Sequence, residues 1–234
     1  MDERTSRRAL ATVLREYPAQ NWTQQRDPFE VLVAVVISQN TTVQNERVAL
    51  QNLRDSIGIT PDRVAAARVA DLRRALRPAG LYTAKARWLK ALAQHLLDRY
   101  QGDLLRLIRP PLERARRALM ALEGIGPKTA DVVLAMVGDY PTMPVDTHIW
   151  RIAQRWEIDP GRGYEDVTEA WKARIPPGQR REAHLALIRF GRETCTAQLP
   201  RCLVCPVAPD CPFYAKIRRG RIKIRIWQPR EASS

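Results

Sequence analysis

The chain has no long apolar run. Its longest, Val31 to Ile37, spans seven residues, far short of the roughly 20 that a helix needs to cross a bilayer. The opening MDERTSRRALATVLREYP carries charges where a secretion signal would have an apolar stretch. A cytoplasmic, intracellular protein with no membrane partner is therefore expected. Aromatic residues are scarce, at 6% of 234. Acidic residues are outnumbered, 25 Asp and Glu against 39 Lys and Arg, giving a net charge of +14 and a pI of about 10.4. Such an excess does not bear on the fold. It predicts attraction to a polyanion, namely DNA, RNA or an anionic membrane surface. The membrane reading lacks the long basic amphipathic helix it would need. Strand-like alternation is nearly absent before the tail, and no cysteine precedes residue 195.

What is present is helical spacing. Leu10, Val13 and Leu14 mark a first helix. Asp27-Pro28 opens a second, FEVLVAVVIS, apolar on most sides and so expected at the centre of a core. TVQNERVALQNLRDSI, TPDRVAAA, VADLRRALRPAG, TAKARWLKALAQHLLDRY and PPLERARRALMALEG follow, then DTHIWRIAQRW, YEDVTEAWKARI and QRREAHLALIRFGRETC. Roughly ten helices with short connections are expected. The tail differs: Arg221 to Ile226 alternates basic residues with Ile, a strand period. An edge strand, a DNA-facing arm and a disordered end are all open readings.

LEGIGPKTADVV is the most specific segment. Gly124 and Gly126 permit positive φ and close approach of the backbone to another molecule. Pro127 suits a first helical position. The N–H groups of such a helix start, with the dipole behind them, suit a phosphate, and a phosphate contact positions a duplex without reading its sequence. Lys128 lies at the positive end of that dipole, which disfavours an ammonium and favours a neutral, nucleophilic amine; pairing with phosphate or solvent is the plainer reading. Asp146, 18 positions later, reads as an N-cap for THIWRIAQRW. Spacing alone does not bring the two together.

The four cysteines, Cys195, Cys202, Cys205 and Cys211, lie within 17 residues with the spacing C-x6-C-x2-C-x5-C. An intracellular chain argues against disulfides, leaving a loop wrapped around a metal. Zinc and a 4Fe-4S cluster both take four cysteines.

LEGIGPKTA followed by VDTHIWRI resembles the helix-hairpin-helix DNA glycosylase superfamily, in its endonuclease III branch. ISQNTTVQN and AGLYTAKA extend the resemblance, which runs from about Asp27 to Cys211. It implies an all-α fold of two helical lobes with a DNA-binding cleft, a helix-hairpin-helix motif and a C-terminal iron-sulfur cluster loop. Residues 22–134 would form a six-helix lobe, residues 1–21 with 135–214 the cluster lobe, and residues 215–234 a basic tail. It also implies that Lys128 is the catalytic nucleophile and Asp146 the second catalytic residue. Gln39 would fill the gap left by an extruded base, Leu81 would wedge into the duplex, and Gly124, Gly126 and Thr129 would bind DNA. The cysteine spacing is that of the family's 4Fe-4S loop. The expected activity is removal of damaged pyrimidines from double-stranded DNA, with β-elimination at the abasic site, by a monomer. A uracil or thymine mismatch glycosylase and a non-catalytic DNA-binding module are the alternatives. Lys128 argues against the adenine-glycosylase branch, which lacks a lysine there. Two departures stand out. Thr42 replaces a usual aspartate, which bears on the base pocket, and Pro127 replaces a common arginine.

Overall fold

The computed structural model describes residues 1–19, 23, 26–158, 161 and 163–228. Among these there are thirteen α-helices and no strand. The chain divides into two compact units, one formed by Met1–Trp22 with Pro141–Ser234, the other by Thr23–Tyr140. It starts the first unit with α1 (Glu3–Glu16) and builds the second from α2 (Pro28–Ile37), α3 (Val43–Ser56), α4 (Pro61–Ala66), α5 (Val69–Leu76), α6 (Tyr82–Tyr100), α7 (Leu104–Ile108), α8 (Leu112–Met120) and α9 (Pro127–Met136). It then returns to the first with α10 (Thr147–Trp156), α11 (Tyr164–Lys172), α12 (Arg180–Glu193) and α13 (Pro212–Arg218).

Helix starts follow the capping chemistry of the sequence. Asp27 Oδ1 accepts the Phe29 N–H at 2.8 Å, with Pro28 in the first turn. Thr60 and Pro61 do the same for α4. Helix α2 is the hub of its unit: Phe29 and Val31 to Ile37 are all buried, and it touches α3, α6, α7 and α9. A helix apolar on nearly every side has no face to give to water, so other helices cover it. The other unit has its own core of Ile149, Ile152, Trp156, Trp171, Leu187 and Phe190. The Trp156 ring lies 5.9 Å from that of Trp171 and 6.3 Å from that of Phe190, within the range of favourable aromatic pairing.

Two short helices, α7 and α13, were not expected. The strand reading of the tail is not met: residues 221–228 form no strand. Instead the Trp227 N–H donates to the Pro200 carbonyl at 3.0 Å, and the Arg201 guanidinium lies 4.7 Å from the Trp227 ring centroid. A lone alternating segment without a partner edge has no ladder to join. The last residues of the tail, 229–234, lie outside the described residues. No helix among the described residues is long and apolar enough to cross a membrane.

Candidate functional site

The hairpin between α8 and α9 uses its two glycines differently. Gly124 has φ +84°, and a Cβ there would lie 2.4 Å from the Trp88 ring; only glycine fits on both counts. Gly126 has φ −89° and ψ 178°, ordinary extended backbone, so the expected positive φ is found at Gly124 alone. A Cβ on the exposed Gly126 would meet nothing within 4 Å. Pro127 is the first residue of α9 and Lys128 the second. The Lys128 side chain is half-buried. The first N–H groups of a helix have no intrahelical acceptor, so this start presents donors beside an open glycine. Thr129, expected among the DNA contacts, is only 5% exposed, and its hydroxyl accepts from Gln39. Its backbone N–H is the part left to meet an anion.

Gln39 follows α2 and turns inward. Its Nε2 donates to the Gly124 carbonyl at 3.0 Å and to Thr129 Oγ1 at 3.2 Å. Leu81 is 51% exposed and sits at φ +46°, a left-handed conformation that costs a non-glycine residue roughly 1–2 kcal/mol. An apolar side chain presented to solvent from strained backbone is not a core leucine. Thr42, the departure from the aspartate pattern, is the N-cap of α3, accepting from the Asn45 N–H at 3.2 Å. Thr and Asp both cap helices, so the departure keeps this structural role.

Asp146 belongs to the other unit. Its Oδ1 accepts the N–H of His148 and of Ile149, each at 2.9 Å, so the carboxylate does cap α10, and its half-buried position leaves it reachable. Arg151 Nη2 lies 3.0 Å from His148 Nδ1. A guanidinium can only donate, so Nδ1 is the acceptor and this imidazole is neutral. Burial lowers the His148 pKa, and Arg151 pushes the same way against Asp146.

The four cysteines line one small cavity together with Trp156, Phe190 and Phe213. None forms a disulfide. Among the described residues no three His, Cys, Asp or Glu side chains are gathered as a ready single-ion site. Burial pushes the Cys202 thiol up to about 11 and the Cys205 thiol up to about 12, with neighbouring cysteines adding to both. A residue that sequence reading missed clasps the loop. Arg155, 8% exposed, donates to the carbonyls of Cys195, Thr196 and Ala197 at 3.2, 2.8 and 3.1 Å. It also donates to Cys195 Sγ at 3.1 Å and stacks 4.6 Å from the Phe213 centroid. Four soft donors with a cationic hydrogen bond to one sulfur suit a thiolate-bound metal or cluster.

Residues 33–177 match the profile of HhH-GPD superfamily base excision DNA repair proteins. The chain is 35% identical over 191 residues to the endonuclease III of Sulfolobus acidocaldarius, covering 81% of this chain and 83% of that protein. It is 34% identical to that of Escherichia coli, covering 81% and 86%. A solved structure of a trapped covalent intermediate of endonuclease III with DNA superimposes with a TM-score of 0.84 at 31% identity, over 94% of this chain and 100% of that one. A thermostable thymine-DNA glycosylase, 21% identical with a TM-score of 0.74 over 92% of this chain and 97% of that one, shares the fold.

Proposed function

The chain belongs to the HhH-GPD superfamily of base excision DNA repair proteins, in its endonuclease III branch, and on that premise we propose how its own residues do the work. It is a DNA glycosylase with abasic-site lyase activity that acts on DNA. Lys128 is the nucleophile. Its neutral amine attacks C1′ of an extruded nucleotide, and the bond from C1′ to the base breaks. The C1′ adduct opens to an imine. Loss of a C2′ proton then expels the 3′ phosphate and nicks the strand. Asp146 accepts a proton from Lys128 and balances the positive charge that develops on the sugar. The observation that carries this reading is the setting of Lys128. It is a half-buried amine on the second residue of α9, beside an exposed glycine whose missing side chain nothing inside the protein requires. The N–H groups of that helix start hold a backbone phosphate while the amine meets the sugar.

Gln39 and Leu81 occupy the space vacated by the extruded base, offsetting part of the lost stacking. Insertion of Gln39 requires its bonds to Gly124 and Thr129 to be given up. The substrate is double-stranded DNA carrying an oxidised pyrimidine such as thymine glycol, or an abasic site. The protein acts on it as a monomer inside the cell. Cys195, Cys202, Cys205 and Cys211 would hold a 4Fe-4S cluster, which when bound cross-links the loop into one body. Arg155 keeps that loop in place through its backbone carbonyls.

Borohydride reduction in the presence of abasic-site duplex tests the reading. Wild type is expected to become covalently attached to DNA and Lys128→Ala is not. Attachment by the alanine variant would remove Lys128 from the mechanism. A duplex panel carrying thymine glycol, uracil or a thymine mismatch, scored for base release, tests the substrate class.

A further inference from the structure

Lys85 is a lysine with no exposed surface at all, 0%, at the start of the buried stripe Lys85, Leu89, Leu92 and Leu96 of α6. A lone buried ammonium is costly, so its partners carry the explanation. They are three backbone carbonyls: Ile37 at 2.8 Å, Gln39 at 2.7 Å and Ala79 at 2.9 Å. An ammonium has three N–H donors and a neutral amine two; three acceptors at these distances use the charged form in full. Two of the acceptors close the C-terminal end of α2, at Gln39. The third lies two residues before Leu81, at the turn that starts α6. Each turn contains a positive-φ non-glycine residue just beyond the bonded one, Asn40 at φ +50° after Gln39, and Leu81 at +46° after Ala79 and Gly80. The turns also abut, since a Cβ on Gly80 would lie 3.8 Å from the Asn40 carbonyl oxygen.

We propose that Lys85 is a positioning residue that binds the Gln39 turn and the Leu81 turn into a single wedge, so that the two residues enter the duplex together. This rests on the reading of Gln39 and Leu81 as the inserted residues. Lys85 is itself too buried to touch DNA. Its work is to hold the left-handed backbone that aims Leu81 outward at a fixed distance from the backbone that carries Gln39. The cost of its burial, which pushes its pKa down to about 8, is consistent with a role that apolar packing at this position could not fill. A methionine would fit the same stripe and spare the desolvation, but it would leave the two turns untied.

The test compares wild type, Lys85→Met and Lys85→Gln on two substrates: a duplex with thymine glycol, whose base must be extruded, and a duplex with a preformed abasic site. A 2-aminopurine opposite a tetrahydrofuran abasic analogue reports disruption of the stack. Misplacement of a wedge by about 1 Å predicts a loss of about 10- to 100-fold in single-turnover base release for Lys85→Met. The 2-aminopurine signal at saturating protein should be reduced, with a much smaller loss of strand nicking at the abasic site. Lys85→Gln, which keeps two N–H donors, should fall between. In the Lys85→Met background, Leu81→Ala should cost little more, because the wedge is already disabled. Wild-type base release and fluorescence in Lys85→Met would overturn the proposal. So would equal losses on both substrates that follow a lowered thermal midpoint, since that is what general destabilisation produces. If instead wild type neither releases the base nor nicks, the function reading itself fails, and the two failures stay distinguishable.

Discussion

At Asp146 the carboxylate that caps α10 is, in the proposed mechanism, also the negative charge that the chemistry needs, and substitution separates the two. Asparagine caps a helix about as well as aspartate, so Asp146→Asn should leave thermal stability within about 0.5 kcal/mol of wild type. It removes the charge, and single-turnover base release should fall by about 10²- to 10⁴-fold. Asp146→Ala should add a stability loss of about 1 kcal/mol. Equal activity for Asn and Asp would reduce Asp146 to a cap. The hairpin glycines separate in the same way. Gly124→Ala meets both the positive φ and the Trp88 ring and should cost about 2–4 kcal/mol in chemical denaturation. Gly126→Ala should cost under about 0.5 kcal/mol yet weaken duplex binding, because the added methyl stands where a phosphate would approach. The sequence displays the two glycines as equals. Only backbone angles and the position of Trp88, 36 residues earlier in the chain, tell which is held by the fold and which by its partner. Lys85 was hidden for a related reason. Its place in an apolar stripe is visible in the sequence, but its three carbonyl partners come from turns whose shape no local pattern announces.

At the scale of elements, helices with strong periods and good caps were legible. Helix α2 announces itself through Asp27, Pro28 and an unbroken apolar run. Helices α7 and α13, five and seven residues long, are too short for periodicity to speak, since brief helices owe their stability to packing rather than propensity. Helix α10 links the candidate carboxylate to a titrating group. His148 is half-buried and bonded by Arg151, and its folded pKa lies below its ordinary value near 6.5. Below that ordinary value the unfolded chain binds a proton that the folded chain resists. Stability should therefore be intact above about pH 6.5 and fall as the pH drops toward the folded pKa. Thermal midpoints measured from pH 5 to 7.5 should decline on acidification in wild type and decline less in His148→Gln. An identical slope in both would show that His148 does not titrate in this setting.

For the whole molecule, the net charge of +14 makes salt the most direct probe of duplex binding. Each phosphate neutralised releases a counterion, so affinity should fall by about 10³-fold between 50 and 200 mM salt if about six contacts form. A slope near zero would mean that the charge is not used on DNA. Charge and composition pointed to a polyanion, and the motifs narrowed it to DNA; the division into two lobes was expected from the family resemblance alone, because a chain that leaves one body and later re-enters it gives no compositional sign.

That re-entry sets the order in which the protein can be made. The segment Thr23–Tyr140 is a continuous insert, and every residue it needs has been synthesised before residue 141 is added. Helix α1 is synthesised first but packs on α12. Its end is tied by Tyr17 to Thr194 at 2.6 Å, and its middle by Arg8 to Asp210 at 2.5 Å, beside the last cysteine. The earliest helix must wait, unpaired, for nearly the whole chain to be translated.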